Sequence, residues 1–502
     1  NRNIYMLFNL FNLFNLFNFK RALWSTFFLV NFVYVEGFKK DPWQKNSWRN
    51  KPTLQQPKYD NLNELVEVEQ VLGNSVPLVI ADEITGLKND LKLVGEGEKF
   101  LFMGGDCAET FREHSADNII KNFQLFMIST ILLMNGTGKE VVKIARMAGQ
   151  FCKPRSKDTE TVDGTEYMAY KGDMINLEPL DKRKPNPFLM LRGYNQCVQT
   201  MNLLRILKQS CFSNINISEW ETELEDSIYK MSSLSELIDK LKENLRFLDA
   251  CGINNSNTHL NNVEVYTGHE GLLLNYEEAL TRKDRYTNNY FDCSAHFLWI
   301  GERTRNLDGG HIEFFRGIEN PIGVKISDKI DKDELLKMLF ILNPDNEMGR
   351  VTLITRMGEK INDKLPELID IIEENNRKVV WVCDPMHANG ITEYGKKTRN
   401  LEDVSAEISA FLGIHTEKGT VPGGIHLEMT GKDVTECLGG KYLEEPSADF
   451  LNKNYETSCD PRLNFFQTIE VIEEVIEQLV LIDKFKALDD YKLNMLNSLI
   501  IE

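Results

Sequence analysis

Residues 378–386 read KVVWVCDPM, a run of β-branched and aromatic side chains that ends in cysteine, aspartate, proline and methionine. A short apolar run with no polar face is typical of a strand buried on both sides in a parallel sheet. Residues 404–412 come next, and their apolar positions share one face of an amphipathic helix. This stretch predicts one strand–helix unit, so the fold depends on how often the unit recurs.

The unit recurs along the chain from residue 99 onward. Eight apolar runs have the length and composition of buried strands, at residues 99–106, 140–148, 262–270, 296–303, 322–327, 351–356, 378–386 and 424–430. Amphipathic segments lie between them or after the last, at 118–134, 270–281, 332–342, 365–374, 404–412 and 463–488. Eight alternating units predict an α/β fold, a (β/α)₈ TIM barrel whose parallel strands close on themselves.

Three stretches lie outside this pattern. Residues 1–40 carry a Phe-Asn-Leu repeat and a short apolar run, which indicate a leader or a non-native low-complexity segment. Residues 41–98 form an N-terminal extension with a helix at 62–72. We assign 99–502 to the barrel, with a helical insertion at 153–261 between the second and third strands, because that length exceeds an ordinary loop. Further helices are predicted within the insertion, at 196–208 and 234–249.

Charge and cysteine content narrow the class of protein. The formal net charge of -18 argues against a nucleic-acid partner, which such a surface would repel. A local cluster of Arg and Lys can still attract small anions into a cleft. Nine cysteines without a repeated spacing indicate a reducing compartment. We therefore expect no membrane for the folded domain and a cytosolic location, or a plastid if the leader is a targeting segment.

Residues that can bind a metal follow several predicted strands. In a (β/α)₈ barrel these strand ends converge on one face, so residues distant in sequence can meet there. A sulfur, an imidazole and two carboxylates suit a borderline divalent ion such as Mn²⁺, Co²⁺, Fe²⁺ or Zn²⁺. Taken singly, each residue is more often an ordinary core group, and only the shared position favours ligation. The four candidates are Cys107, His387, Glu428 and Asp460.

A second group of strand-end residues is cationic. Buried Arg and Lys are costly to desolvate unless they are paired. Glu270 and Glu302 could pair with one or two of them, but the six candidates exceed what two acids can neutralise. Phosphate and carboxylate ligands explain the remainder, because Arg offers a bidentate fork and Lys a point charge. This set predicts a site for two phosphorylated substrates and consists of Arg146, Lys153, Arg155, Arg303, Lys325 and Arg356.

Several long sequence motifs resemble those of one protein family and occur in the same order along the chain. They include GGDCAE at 104–109, KIARMAGQFCKPRS at 143–156, CDPMHAN at 383–389, PGGIHLEMTG at 422–431 and CDPRLN at 459–464. The chain resembles the type II 3-deoxy-D-arabino-heptulosonate 7-phosphate (DAHP) synthases from about Pro42 to the C-terminal helix. The resemblance implies a metal-dependent condensation of phosphoenolpyruvate with erythrose 4-phosphate, giving DAHP and phosphate. That reaction is the first step of the shikimate pathway to chorismate and the aromatic amino acids.

The resemblance also implies roles for individual residues. It makes the four candidates above the metal ligands, and Glu302, Lys325 and His387 the catalytic groups. The phosphoenolpyruvate site would comprise Arg146, Lys153, Glu302, Arg303, Lys325 and Arg356, and we expect Glu270 to join the substrate site. The erythrose 4-phosphate end would comprise Arg155, Ser156 and Lys397. Homo-oligomers and feedback inhibition by aromatic amino acids are implied as well.

Besides a member of this family diverted to aminoshikimate or secondary metabolism, two alternatives stay open at this point. The chain could be another phosphoenolpyruvate–aldose condensing synthase, which would differ in its aldehyde site. It could also be a non-catalytic barrel that regulates a partner. The complete set of charged candidates argues against the second alternative, because a decayed site should have lost at least one member.

Overall fold

The computed structural model describes residues 42–210, 264–443 and 446–501, together with a few isolated positions between 235 and 246. The leader predicted at 1–40 lies outside the described residues, as does most of the helix predicted at 234–249. Side chains beyond residue 485 are also outside the description.

Eight parallel strands form a closed barrel, as predicted. Each strand pairs with its neighbours in sequence, and the eighth pairs with the first. Every predicted apolar run contains one of them. The strands are β1 Lys99–Gly105, β2 Glu140–Arg146, β3 Tyr266–Glu270, β4 Phe297–Ile300, β5 Ile322–Ile326, β6 Val351–Thr355, β7 Val380–Cys383 and β8 Gly424–Glu428.

The described helices are α1 Leu62–Asn74, α2 Ala81–Gly95, α3 Ala116–Thr137, α4 Phe188–Ser210, α5 Leu274–Leu280, α6 Gly310–Phe315, α7 Lys332–Leu342, α8 Ile361–Glu374, α9 Leu401–Lys418, α10 Ala448–Lys453 and α11 Phe465–Ile501. Short 3₁₀ turns occur at Ser47–Asn50, Leu180–Lys182 and Gly358–Lys360. Three antiparallel pairs lie in the loops, formed by Thr159–Val162 with Thr165–Met168, Thr281–Lys283 with Tyr290–Asp292, and Ile391–Glu393 with Lys396–Thr398.

Side chains at the helix starts explain several of these boundaries. The Ser115 hydroxyl accepts from the backbone N–H of Asn118 at the start of α3. The Asp331 carboxylate accepts from two N–H groups of the first turn of α7, so α7 begins where the sequence predicts. The helix predicted at 270–281 is shorter in the structure, because Glu270 ends β3 and Thr281 begins an antiparallel pair.

Helix α2, which the sequence reasoning did not predict, closes the N-terminal end of the barrel. Its buried residues Leu87, Leu91 and Val94 pack into one cluster with side chains from the barrel interior. Those partners include Trp299 of β4 and Val382 of β7. The bottom of the barrel is therefore a continuous apolar core, and a cavity can form only at the other end.

Helix α3 is long and apolar enough to cross a membrane by length and composition alone. More than half of its most apolar window is buried inside the protein. Phe126 of this helix stacks on Phe102 of β1, with ring centroids 5.1 Å apart. The apolar face of α3 therefore serves the core between the barrel and its outer helices.

Candidate active site

A cavity of about 520 Å³ opens at the C-terminal ends of the strands. Most of the predicted site residues line it. They are Lys153, Arg155, Ser156, Glu270, Glu302, Arg303, Lys325, Arg356, His387, Lys397 and Asp460. The other three predicted residues, Cys107, Arg146 and Glu428, are buried.

The register of the strands places these groups in one layer. Gly105, the last residue of β1, lies opposite Arg146 of β2 on one side and Glu428 of β8 on the other. Gly105 has a φ of +142°, and a Cβ at this position would approach the Arg146 carbonyl oxygen to 2.8 Å. Glycine is needed here because the two strand ends approach so closely. The residues that follow β1 therefore reach the mouth of the barrel, which is the C-terminal end of the strands where the cavity opens.

The four predicted metal ligands meet at this mouth. One potential ligand atom from each of Cys107, Glu428 and Asp460 lies within 4.8 Å of the others. The imidazole Nε2 of His387 lies 3.1 Å from Glu428 Oε1. The backbone N–H of Asp460 donates to the Cys107 sulfur over 3.3 Å. Residues separated by more than 350 positions in the chain are thus in contact, as the barrel topology predicts.

The donor set is suited to a cation. Lys153 Nζ lies 3.0 Å from Cys107 Sγ, 3.0 Å from Asp460 Oδ2 and 3.5 Å from Glu428 Oε1, so an ammonium group already sits among three of the candidate ligands. Burial would raise the pKa of Glu428, but the charges of His387, Lys153 and Arg399 hold it well below its usual range. The Lys153 ammonium likewise lowers the pKa of Asp460.

The thiol of Cys107 completes the fit. Burial, the most important factor, raises the pKa of Cys107 well above its ordinary value. A buried thiol of this kind becomes a thiolate when a divalent cation binds it. Sulfur, imidazole and carboxylate donors in one cluster match a borderline divalent ion better than Ca²⁺ or Mg²⁺.

Arg146 lies beneath the cluster and does not line the cavity. Its Nε donates to the Asp106 carbonyl over 2.8 Å, and its Nη2 donates to the Cys107 carbonyl over 2.9 Å. Nη2 also lies 3.2 Å from Glu428 Oε1. The predicted phosphate-binding arginine thus contacts the backbone beside one candidate ligand and the side chain of another.

Lys325 belongs to a buried network that includes a residue absent from the sequence prediction. Its Nζ lies 2.8 Å from Asp384 Oδ2 and 3.2 Å from His387 Nδ1. Asp384 Oδ2 lies 2.8 Å from His387 Nδ1. Burial alone would raise the pKa of Asp384, but His387 and Lys325 hold it well below its usual range. Asp384 therefore orients the His387 ring so that Nε2 faces Glu428.

Two acidic side chains at the cavity have an oxygen without a partner among the described residues. Glu302 accepts from Arg305 Nη2 and Ser327 Oγ through Oε1, each over 2.8 Å, and its buried Oε2 has no partner. The buried Oε1 of Glu270 also has none. A Cβ on Gly301 would lie 2.1 Å from this oxygen, so glycine lets the carboxylate rest against the backbone. Glu302 is held by Arg305, and among the described residues neither Glu270 nor Glu302 forms the expected ion pair with a predicted cation. Four of the six predicted cations pair with other carboxylates instead, Arg146 with Glu428, Lys153 with Glu428 and Asp460, Arg155 with Glu160, and Lys325 with Asp384.

Arg303 and Arg356 line the cavity, and each donates one side-chain hydrogen bond. Arg303 Nη2 donates to the Ser156 hydroxyl over 3.0 Å. Arg356 Nη2 donates to the His387 carbonyl over 2.7 Å, while its buried Nε has no partner in the part of the chain that the structure describes. An unpaired guanidinium donor at a polar cavity favours an anionic ligand.

The outer rim carries the other predicted phosphate ligands. Arg155 Nη2 lies 3.4 Å from Glu160 Oε2, which belongs to the antiparallel pair in the loop after β2. Lys397 Nζ, more than half exposed, lies 3.6 Å from Asp460 Oδ1. Both contacts are long and leave these charges accessible from the cavity.

Sequence reasoning missed Asp384, Arg399 and Glu109. Asp384 directly follows β7, so its strand-end position was the same signal that identified the other residues. Glu109 accepts from the backbone N–H groups of Ala148, Gly149 and Gln150 over 3.0, 2.8 and 2.8 Å, and braces the loop after β2. Arg399 lies far from any barrel strand end in sequence and carried no such signal.

A closed (β/α)₈ barrel with a charged cavity at the C-terminal ends of its strands is the architecture of a barrel enzyme. Comparison with known proteins agrees. The class-II DAHP synthetase family matches residues 43–476. A phospho-2-dehydro-3-deoxyheptonate aldolase of Streptomyces coelicolor is 40% identical over 444 residues, which cover 88% of this chain and 98% of the relative.

Two further relatives carry the same name. The Neurospora crassa protein is 41% identical over 450 residues, covering 86% of this chain and 92% of the relative. The AroG protein of Mycolicibacterium smegmatis is 39% identical over 439 residues, covering 86% and 93%. The chain belongs to the class-II DAHP synthetase family, and it is a transferase of that family.

Proposed function

We propose that this enzyme condenses phosphoenolpyruvate with erythrose 4-phosphate to give DAHP and phosphate, the first step of the shikimate pathway to chorismate and the aromatic amino acids. The family and the names of the relatives support this reaction. The observation that carries the proposal is the meeting of a cation-binding cluster with Lys325, Arg303 and Arg356 at one cavity. One substrate needs a cationic wall for its phosphate and carboxylate, and the other needs an activated aldehyde.

We propose further that Cys107, His387, Glu428 and Asp460 hold a divalent ion, Mn²⁺ before Co²⁺, Fe²⁺ or Zn²⁺. Support comes from the mixed donor chemistry and from the ammonium group of Lys153 among these atoms. When bound there, the ion would act as a Lewis acid on the aldehyde carbonyl of erythrose 4-phosphate.

The inner cations align phosphoenolpyruvate. Arg303 and Arg356 offer fork-shaped donors to its phosphate or carboxylate, and Lys325 adds a buried point charge. The electrons of the enol double bond form a carbon–carbon bond to the aldehyde carbon. The π bond of the aldehyde carbonyl breaks to leave an alkoxide, and positive charge develops on the carbon that bears the phosphate. Binding both substrates beside each other lowers the barrier because the entropy of bringing them together is lost before reaction. Arg155, Ser156 and Lys397 at the rim receive the phosphate of the aldose.

Glu302 serves the second half of the reaction. Its Oε1 is fixed by Arg305 and Ser327, and its Oε2 is free to accept a hydrogen bond. A water held at Oε2 adds to the carbon that bears the phosphate, and Glu302 accepts its proton. The bond between this carbon and the phosphate oxygen then breaks, the departing phosphate takes the proton of the hemiketal hydroxyl, and the keto group forms. The Lys325–His387 pair supplies the proton that the alkoxide from the aldehyde needs.

The test is an assay of phosphate release with both proposed substrates, before and after treatment with a chelator. We expect turnover that chelation abolishes and added Mn²⁺ restores. A parallel assay replaces erythrose 4-phosphate by a five-carbon aldose phosphate, and preference for the longer aldose would identify the alternative condensing synthase. Full turnover in metal-free protein would contradict the metal site and leave the condensation standing.

We also propose that the enzyme forms homo-oligomers and responds to aromatic amino acids, as expected from the family. A cytosolic location is proposed from the unpaired thiols of the described cysteines, with a plastid as the alternative if residues 1–40 are a targeting segment.

A further inference from the structure

Arg399 is a buried arginine, 2% exposed, that directly follows the strand Lys396–Thr398. All three nitrogens of its guanidinium donate hydrogen bonds. Nε donates to the Met386 carbonyl over 2.7 Å, Nη1 donates to the Pro461 carbonyl, and Nη2 donates to Glu428 Oε2 over 2.8 Å. No sequence motif pointed to this residue.

Each acceptor is a candidate metal ligand or its immediate neighbour. Met386 precedes His387, Pro461 follows Asp460, and Glu428 is itself in the ligand set. The three acceptors come from segments after β7, at the end of β8 and before α11. Because a guanidinium is planar and rigid, its three donors fix these segments relative to one another.

The contact with Glu428 also divides the roles of its two oxygens. Oε2 is bound by Arg399. Oε1 faces the cluster, 3.1 Å from His387 Nε2 and 3.5 Å from Lys153 Nζ. Each oxygen thus accepts from one arginine, since Arg146 Nη2 lies 3.2 Å from Oε1. Because Oε1 lies beside His387 and Lys153 while Oε2 is held by Arg399, Glu428 would present Oε1 to an ion.

We propose that Arg399 is a positioning residue that orients three of the four metal-binding side chains and holds the Glu428 carboxylate with Oε1 towards the other candidate ligands. It thereby sets the affinity and the coordination geometry of the site. The inference rests on the proposed metal site and goes beyond it by assigning control of that site to a residue outside the ligand set.

The chain offers a matched control in Arg350. It is 7% exposed and also donates to three carbonyls, those of Leu342, Asn320 and Phe315. Arg350 directly precedes β6, at the N-terminal end of the barrel. A general loss of buried hydrogen bonds should affect Arg350→Lys and Arg399→Lys alike, whereas a loss of metal positioning should affect only the second.

The experiment titrates chelator-treated wild type, R399K, R399Q and R350K with Co²⁺ alone. It follows the thiolate charge-transfer band and the visible d–d bands, and circular dichroism checks that each variant is folded. We expect R399K to bind Co²⁺ about 10- to 100-fold more weakly than wild type, the range for loss of a contact that supports a ligand. Its d–d bands should change, since the Glu428 carboxylate loses the contact that fixes its orientation. R399Q, which retains two donors without the charge, should be weaker still, and it tests the proposal if R399K does not fold.

R350K should match the affinity and spectrum of wild type even if its melting temperature falls. The proposal is overturned if folded R399K and R399Q match the affinity and spectrum of wild type, or if R350K weakens Co²⁺ binding equally. A wild-type protein that binds no Co²⁺ would instead remove the proposed metal site, and with it this inference.

Discussion

The two ends of the barrel are built from opposite chemistry. At the N-terminal end, α2 inserts Leu87, Leu91 and Val94 into an apolar cluster that continues into the barrel interior. At the C-terminal end, the same strands finish in charged groups around a cavity of about 520 Å³. The difference shows that burial of apolar surface stabilises the fold at one end, which lets the other end hold charges that are costly to bury.

Charges at the mouth are tolerated because they are paired. Lys325 and Asp384 are both buried and 2.8 Å apart, and Arg399 holds Glu428 at the same distance. Truncating an apolar side chain at the N-terminal end removes only some of its packing contacts. Removing one member of a buried ion pair instead leaves its partner as an unpaired charge in a medium of low dielectric. Substitutions at the two ends should therefore differ in what they change.

The largest effect is expected from Cys107→Ser at the mouth. A hydroxyl is a much poorer ligand for a borderline ion than a thiolate, so the variant should lose metal and at least about a hundredfold in kcat/KM. Metal content and phosphate release measure the two effects. Cys197→Ser, a buried thiol on α4 away from the cavity, is the control and should keep both. Equal kcat/KM in wild type and Cys107→Ser would remove the sulfur from the site.

Lys325→Met should affect both stability and activity. The substitution leaves the Asp384 carboxylate buried without its ammonium partner, which costs about 3–5 kcal/mol in the free energy of unfolding. Urea unfolding measures this loss. In the double variant Lys325→Met/Asp384→Asn the uncompensated charge is removed, so stability should largely recover while kcat/KM stays low. Recovery of activity in the double variant would show that Lys325 acts only on the fold.

Leu91→Ala, at the N-terminal end of the barrel, should lower stability and leave activity unchanged. Loss of a buried leucine with a residual cavity costs about 2–5 kcal/mol of unfolding free energy. The cavity mouth is at the other end of the strands, so kcat/KM should stay within about twofold of wild type at a temperature where both are folded. Leu62→Ala, 66% exposed on α1, is the control and should change stability little. A large fall in kcat/KM for Leu91→Ala would mean that the two ends are coupled.

The sequence predicted the barrel because each buried strand is a short apolar run that can be recognised from neighbouring residues alone. It also predicted which residues reach the mouth, since the end of each strand can be located where its apolar run ends. Helix α2 has its own amphipathic pattern, with Ile84, Leu87, Leu91 and Val94 buried, and this helical signal was available. The position of α2 beneath the barrel could not be predicted, because it depends on packing against strands that lie far along the chain.

The partners of the charged residues could not be read in the same way. Asp384 has a strand-end position, but its contact with Lys325 joins two strands that are separated by β6. Arg399 bonds to three segments of which none is adjacent to it in sequence. Such pairings follow from three-dimensional geometry, whereas residue type and spacing give only the candidates.

The smallest expected effect is a change of stability with pH that arises from Glu407, a buried carboxylic acid behind the mouth. Glu407 of α9 is 3% exposed and accepts from the Met357 backbone N–H and from Asn389 Nδ2, so it braces the loops after β6 and β7. Burial, partly offset by these hydrogen bonds, raises its pKa to about 7. Glu407→Gln keeps an acceptor for the backbone N–H but does not titrate.

Because the folded-state pKa of Glu407 lies above its ordinary value of 4.5, its stabilising contribution is complete below about pH 4.5 and is lost as pH rises through 7. The difference in unfolding free energy between Glu407→Gln and wild type cancels the titration of all other groups. It should be constant below pH 4.5 and shift in favour of the glutamine variant by up to about 3 kcal/mol by pH 8. A flat difference across this range would show that Glu407 keeps an ordinary pKa, and it would contradict the prediction.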